Sequence, residues 1–386
     1  MRCQTVHYEG NQEGSGVFKR ATRQQFELNP RHNCQIRMSF SFSENDIKQH
    51  SSKKGCPVKD AQLLAVQSIL SKLDTIVVAK TGYGKSLIYQ LAISLMNTVR
   101  VCSAVIISPL VALMMDQANA AESWGPSVFL GSAQEDQQVQ NRLENYRFIF
   151  LSPEKFMQTG IQRELKRISH NVSLIVIDEC HCQISWQGFR DAFATLPQTI
   201  QSVFESSRPP LLLMTATLPS DQQTVLMRDF NLAQGTNVIR VSCDRENLSI
   251  QIKNSNNKNE DIMQYCLISK SKGNMVLIYV ATPQDCENLL QSLSEKCTEH
   301  GLSIRKYHGA GNKGSMQASD TDFQNERKET LRLATSQQLD ICICTSAFGM
   351  GIDIPHIDTV IHMFPPRSIA EYAQQIGHGM DVQHPR

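Results

Sequence analysis

Short, almost wholly apolar runs alternate with stretches of helical spacing from about residue 60 to residue 363. That text leaves few folds open. The runs Thr75–Ala79, Ala104–Ser108, Arg147–Leu151, Leu174–Asp178 and Leu211–Thr215 read as strands, and Leu87–Met96, Leu110–Ala121 and Ile161–Ser169 between them read as helices. A strand apolar on both faces must be covered on both faces, and strands alternating with helices give a parallel sheet layered between helices. The pattern pauses over Gly235–Ile250 and the polar stretch Lys253–Asp261. It then restarts with Met275–Val280, Ser303–Tyr307, Asp340–Cys344 and Thr359–Met363, and with helical text such as Asp285–Cys297. The expected fold is therefore α/β, with two tandem lobes, each a mainly parallel sheet with helices on both faces. Residues 1–50, rich in Gln, Asn, Ser and Arg and without periodicity, are expected to form an irregular extension. Residues 51–242 then make the first lobe and 243–386 the second, with a surface loop expected at Gly311–Asp322.

Charge decides little. The 38 Lys and Arg against 37 Asp and Glu leave a net charge of +1, which argues against a protein that coats nucleic acid by bulk charge but not against a local basic groove. The 12 cysteines form no Cys-x-x-Cys pair, so no zinc is expected, and buried thiols of a reducing compartment are the plain reading. Met1–Gly10 is polar and charged, and the longest apolar run, Leu87–Met96, is too short to cross a bilayer. An intracellular, soluble protein without a membrane partner is expected.

Between the first apolar strand and the helix after it lies Ala79-Lys80-Thr81-Gly82-Tyr83-Gly84-Lys85-Ser86. Strand, glycine turn and helix are the context of a phosphate loop. Gly82 and Gly84, flanking Tyr83 after Thr81, let backbone amides turn toward a polyphosphate. The following helix adds the positive end of its dipole. Lys85 supplies a cation for β- and γ-phosphates, and Ser86 a hydroxyl for Mg²⁺. An ordinary glycine turn with a chance Lys-Ser is the bland alternative; alanine does stand where the generic pattern has its first glycine.

A second apolar strand ends in Asp178-Glu179-Cys180-His181. In a parallel sheet the carboxyl ends of strands face the ligand crevice. Asp178 would hold Mg²⁺, and Glu179 would orient and deprotonate an attacking water. Alone, such a pair is equally a solvated helix cap.

Asp-Glu-Cys-His resembles the Asp-Glu-x-His box of superfamily-two helicases, and Met214-Thr215-Ala216-Thr217-Leu218 resembles their coupling motif. Two stretches narrow the resemblance to the RecQ family. One is Cys182-Gln-Ile-Ser-Trp186-Gln-Gly-Phe189-Arg190-Asp-Ala-Phe193, similar to that family's aromatic-rich loop. The other is Thr345-Ser-Ala-Phe348-Gly349-Met350-Gly351-Ile352-Asp353-Ile-Pro355, similar to its fifth motif. Lys59-x-x-Gln62, Ser108-Pro109-Leu110, Asp244-Arg245-x-Asn247-Leu248 and Tyr307-His308-Gly309 are weaker echoes in the same order.

The resemblance implies two RecA-like lobes, ATP and Mg²⁺ as cofactors, and an ATP-dependent 3′-to-5′ DNA helicase of recombination and repair. Its partners would be single-stranded DNA and duplex junctions, in the nucleus of a eukaryote or the cytoplasm and nucleoid of a bacterium. By the same resemblance Lys59 and Gln62 would meet the nucleotide. Gln62 can donate to and accept from an adenine edge at once, although an exposed helix glutamine reads equally well from the residues. Trp186, Phe189 and Arg190 suit stacking on single-stranded bases; packing of the loop onto the core is the alternative. Thr215 and Thr217 would couple hydrolysis to movement, or simply be β-branched strand residues. Asp353 would meet the nucleotide or the facing lobe, or be a turn residue before Pro355.

The family's closing Gln-x-x-Gly-Arg-x-Gly-Arg is here Gln374-Gln375-Ile376-Gly377-His378-Gly379-Met380-Asp381. Both arginines are replaced, and the second lobe is expected to be incomplete. An arginine finger is worth roughly 10³–10⁵ in turnover, and a histidine is shorter and mostly neutral near pH 7. A catalytically weak ATP- and DNA-binding pseudo-helicase is therefore the second functional class carried forward.

Overall fold

The computed structural model describes residues 3–8, 42–109, 111–131, 142–185, 191–205, 208–242, 247–309, 320–348, 354, 356–377 and 379. The chain divides into two compact units, one of Arg31–Cys243 and one of Met1–Pro30 with Asp244–Arg386.

The first unit is built on seven parallel strands: β2 (Thr75–Val78), β3 (Ser103–Ile107), β4 (Ser127–Leu130), β5 (Phe148–Leu151), β6 (Val172–Ile177), β7 (Leu211–Thr215) and β8 (Asn237–Arg240), in the order β4-β5-β3-β6-β7-β2-β8. The central strands read as unbroken apolar text because each face has its own core. Leu174 and Val176 of β6 enter one cluster with Phe148, Phe150, Leu212 and Met214. Ile175 and Ile177 enter the other, with Ile149, Leu151, Leu211 and Leu213. Successive side chains leave a strand on opposite sides, so a sheet covered twice needs apolar residues at every position. Helices Asp60–Leu70 and Ser86–Met96 cover the first face, and helices Thr159–Arg167 and Asp191–Phe204 the second.

The second unit repeats the scheme with six parallel strands: β1 (Cys3–Tyr8), β9 (Leu248–Lys253), β10 (Met275–Tyr279), β11 (Ile304–Tyr307), β12 (Ile341–Cys344) and β13 (Ile357–His362), in the order β11-β12-β10-β13-β1-β9. Val276, Ile278, Ile341 and Ile343 pack on one face, and Leu277, Tyr279, Cys342 and Cys344 on the other. Helix Pro283–Glu299 begins sharply. Thr282 accepts from the Asp285 amide, Asp285 accepts from the Thr282 amide in return, and proline holds the first helical position.

Several expectations are corrected. Residues 1–50 are not irregular throughout: Cys3–Tyr8 is a strand inside the second unit's sheet, and Ser43 and Asp46 cap helix Glu44–Lys53. The pause at 235–250 contains β8 and the start of β9. Only Ile239 of β8 is buried, since an edge strand hydrogen-bonds on one side and has little apolar text to show. The loop expected at 311–322 gives way at its end to helix Asp320–Thr335; residues 310–319 lie outside the described residues. No helix among the described residues is long and apolar enough to cross a membrane.

Candidate active site

Three neighbouring strand ends of the first unit carry the residues singled out from the sequence. β7 lies between β6 and β2, so the acidic box, Thr215 and the phosphate loop emerge side by side although they are far apart in sequence. The Ala79 amide donates to the Thr215 carbonyl at 3.0 Å and the Cys180 amide to the Met214 carbonyl at 2.9 Å, which extends the ladder into both loops.

In the phosphate loop Gly82 and Gly84 have φ of +77° and +88°, the left-handed region that glycine enters without a Cβ penalty. A Cβ at Gly84 would also stand 2.9 Å from the Gln62 amide nitrogen. Lys85 Nζ donates to the Ala79 carbonyl at 3.0 Å, bent back over its own loop. Ser86 opens helix Ser86–Met96.

Gln62 is 2 % exposed, not a surface glutamine. Its amide nitrogen donates to the carbonyls of Gly84 at 2.9 Å and Tyr83 at 3.3 Å, and its oxygen accepts from the Lys59 amide at 2.8 Å. Lys59 Nζ donates to the Tyr83 carbonyl at 3.2 Å and lies 4.6 Å from the Tyr83 ring centroid. Lys59 and Gln62 thus hold the phosphate loop itself. An adenine reaching Gln62 would have to exchange with these contacts.

Asp178 is buried at the end of β6. Gln117 Nε2 donates to its Oδ2 at 3.1 Å, and the Glu179 amide to its Oδ1 at 3.0 Å. Burial pushes its pKa up, Glu179 adds to that, and Lys85 opposes it. Glu179 has φ of +48°. Burial acts to raise its carboxyl, but the His181 and Lys85 charges outweigh that and hold it below the usual range. His181 Nδ1 is 3.3 Å from Glu179 Oε2, a charge contact without hydrogen-bond alignment, and 3.0 Å from Thr215 Oγ1. Burial would lower the His181 pKa; Cys182 and Glu179 more than reverse it, so the ring keeps its proton. Thr215 Oγ1 donates in turn to the Thr217 carbonyl at 3.0 Å and accepts from the Thr217 amide at 3.2 Å. A continuous polar path therefore runs from Glu179 through His181 and Thr215 to Thr217.

Gln117 Oε1 and Glu179 Oε2 are buried without a hydrogen-bond partner among the described residues. Buried polar atoms are normally satisfied. Orphans beside a carboxylate pair and a lysine fit a site that polyphosphate, metal and water complete. Ser86 and Asp178 supply the hard oxygen donors that Mg²⁺ takes. Among the described residues, no group of three or more His, Cys, Asp or Glu could hold a metal ion on its own.

Of the residues singled out from sequence, Lys59, Gln62, Thr81, Gly82, Gly84, Lys85, Ser86, Asp178, Glu179, Thr215 and Thr217 fall on this one surface of the first unit. Trp186, Phe189, Arg190 and Asp353 lie outside the described residues. Gln117 was missed: a lone glutamine in helix Val111–Ala121 carries no periodic signal, and only the fold brings it to Asp178. The polar path makes one expectation specific. Thr215→Val keeps the strand shape and removes the hydroxyl, so stimulation of turnover by single-stranded DNA should fall about tenfold while ATP affinity holds within about twofold. Equal loss of both, in steady-state phosphate release and nucleotide titration, would sink the coupling role.

Two parallel α/β units, the first with a glycine-turn loop, an acidic box and a buried threonine on adjacent strand ends, define the core of a superfamily-two helicase. Residues 59–225 match the DEAD/DEAH box helicase model and residues 257–380 the helicase conserved C-terminal domain. The chain is 30% identical to the probable ATP-dependent DNA helicase RecS of Bacillus subtilis, over 83% of this chain and 61% of that protein. It is 31% identical to the ATP-dependent DNA helicase RecQ of Pasteurella multocida, over 81% of this chain and 46% of that one. A crystal structure of the DUF1998 helicase MrfA bound to DNA shares the fold at a TM-score of 0.67, with 16% identity over 89% of this chain and 50% of that chain. The chain belongs to the RecQ family of helicases, and spans 30% to 64% of the length of the curated relatives it matches.

Proposed function

We propose that this chain is an ATP-dependent 3′-to-5′ DNA helicase core that couples ATP hydrolysis to translocation and duplex unwinding in recombination and repair. The single observation that carries it is the placement of Lys85, Ser86, Asp178, Glu179 and Thr215 on three neighbouring strand ends, joined by the His181 path. Residues 51–242 form the ATP-binding lobe and 243–386 the C-terminal helicase lobe. Lys85 and the amides of Thr81–Gly84 cradle the polyphosphate, and Lys59 and Gln62 set the loop against the base. Ser86 and Asp178 hold Mg²⁺, which when bound neutralises charge on the β- and γ-phosphates. Glu179, kept ionised by His181 and Lys85, orients the attacking water and takes its proton. Trp186, Phe189 and Arg190 stack on and hold single-stranded DNA, Thr215 and Thr217 relay the state of the site, and Asp353 is assigned to the same coupling by the family resemblance. Single strands and duplex junctions are the substrates, and the compartment is wherever the genome lies: nucleus or nucleoid.

The test is ATP hydrolysis by the purified chain with and without single-stranded DNA, beside Glu179→Gln. DNA-stimulated turnover that drops by about 10²–10³-fold in Glu179→Gln, with ATP binding kept, supports the reading. One observation favours a second reading, an ATP- and DNA-binding pseudo-helicase: positions 378 and 381 are His and Asp, where the family pattern has arginines. ATP and DNA binding without turnover above the Glu179→Gln blank would select it.

A further inference from the structure

The Asp178 carboxylate is aimed by neutral donors. The Glu179 amide, on the same loop, donates to Oδ1 at 3.0 Å. The donor to Oδ2, at 3.1 Å, is Gln117 Nε2, 61 residues earlier in the chain. Lys85, whose charge acts on Asp178, directs its own hydrogen bond to the Ala79 carbonyl. Helix Val111–Ala121 is fixed to the sheet by Met114, Ala118 and Ala121, which are buried in one cluster with Val176 of β6. Gln117 lies three residues after Met114 and four before Ala121, so it shares that face. An ammonium or guanidinium in its place would neutralise the carboxylate and compete with a metal cation for it. An amide donates to the carboxylate and leaves its charge in place. The oxygen of the same amide, Gln117 Oε1, is buried without a hydrogen-bond partner among the described residues, and so is Ser108 Oγ. Ser108 follows Ile107, which pairs with Ile177, so it stands at the strand end next to Asp178. Buried polar atoms are normally met, and two orphans flanking one carboxylate leave room for water that the protein itself does not replace.

We infer that Gln117 is a positioning residue for Mg²⁺: its amide nitrogen holds the Asp178 carboxylate in place, and its buried oxygen takes a hydrogen bond from water that enters with the ion. The inference rests on the proposed placement of Mg²⁺ at Ser86 and Asp178. Gln117 acts through Asp178, so it governs how tightly the ion is held, not how the nucleotide is held without it. A hydrogen-bond partner standing behind a metal ligand typically changes metal affinity by about 10–100-fold. The lower end, about tenfold, applies to Mg²⁺, which keeps several of its waters and takes few protein oxygens.

Gln117→Met, of similar length but without the amide, tests this. Binding of a fluorescent ADP analogue to the purified chain is titrated with MgCl₂ and repeated in EDTA. In EDTA the variant should bind the analogue within about twofold of the parent, since Asp178 meets the nucleotide only through the ion. The half-saturating Mg²⁺ concentration should rise about tenfold. In a chain that hydrolyses ATP, raising Mg²⁺ by the same factor should bring turnover back to within about twofold of the parent. Gln117→Asn, which keeps an amide one methylene shorter, should fall between the two. A Mg²⁺ curve that superimposes on the parent's would overturn the inference. So would affinity lost by the same factor in EDTA in both variants, or a turnover deficit that excess Mg²⁺ leaves untouched, the marks of a glutamine that only supports the fold. A parent chain whose nucleotide binding does not respond to Mg²⁺ would overturn it together with the assignment of the ion to Ser86 and Asp178. The binding titration needs no turnover, so it reads the same in a pseudo-helicase as in a motor.

Discussion

Lys85→Ala should lower ATP turnover by roughly 10²–10³-fold, the scale on which a single preorganised charge-stabilising group acts. Two effects combine. The substitution removes the cation proposed to meet the developing charge on the transferred phosphoryl group. It also removes the charge that opposes the upward push of burial on Asp178 and helps to hold the Glu179 carboxyl low. Less of the ionised pair is then present when ATP arrives, so the loss should exceed that of a binding lysine alone. The fold should barely notice, because among the described residues the Lys85 Nζ hydrogen bond runs to the Ala79 carbonyl, on a loop that water can reach. Phosphate release measured with and without single-stranded DNA, beside the circular dichroism melt of both proteins, decides it. Turnover within tenfold of the parent at an unchanged melting temperature would remove Lys85 from the proposed machinery.

The largest expected loss of stability lies at the opposite end of the same strands. Asp74 stands just before β2, 7 % exposed. Its carboxylate accepts from Arg208 Nη1 at 3.0 Å and Nη2 at 2.9 Å, and from the Leu211 amide at 2.8 Å. Its carbonyl accepts from the Asn237 amide at 3.0 Å. One residue thus registers the starts of β2, β7 and β8. Removing one partner of a buried pair costs about 3–5 kcal/mol, because a charge and an amide are left unmatched. With the Arg208 side chain 23% exposed, the lower end, about 3 kcal/mol, is expected for Asp74→Ala. For a unit of this size that is about 6–12 °C in melting temperature. Asp74→Asn, which keeps an acceptor for the Leu211 amide, should lose about half as much. A loss below about 1 kcal/mol in Asp74→Ala, by calorimetry, would show that the fork is not what holds these strand starts together.

How much of this could be read in the sequence depends on what each residue reports. The central strands were legible because both faces of each sheet are covered, which forces apolar text at every position of Val172–Ile177 or Leu211–Thr215. The phosphate loop and acidic box were legible because their chemistry sits in short contiguous spans. β8 and β9 were not, since edge strands bury little. β1 was not, because a strand of ordinary polar text becomes a strand only when a distant sheet offers it a slot, and local sequence is silent on that. Gln117 and the Asp74–Arg208 fork were hidden for the same reason: their partners are 61 and 134 residues away. Gln62 was half legible. Its type suggested base recognition, while its burial and its bonds to Tyr83 and Gly84 show it bracing the loop.

The backbone at Glu179 sets two demands against each other. Its φ of +48° is a conformation that costs an ordinary L-residue roughly 1–2 kcal/mol and glycine almost nothing. A library screened only for heat resistance would therefore be drawn toward glycine at 179, recovering that energy and discarding the carboxylate. Stabilisation scored on folding energy alone would improve the scaffold at this codon at the expense of the role proposed for Glu179, so position 179 has to be held fixed in any such campaign.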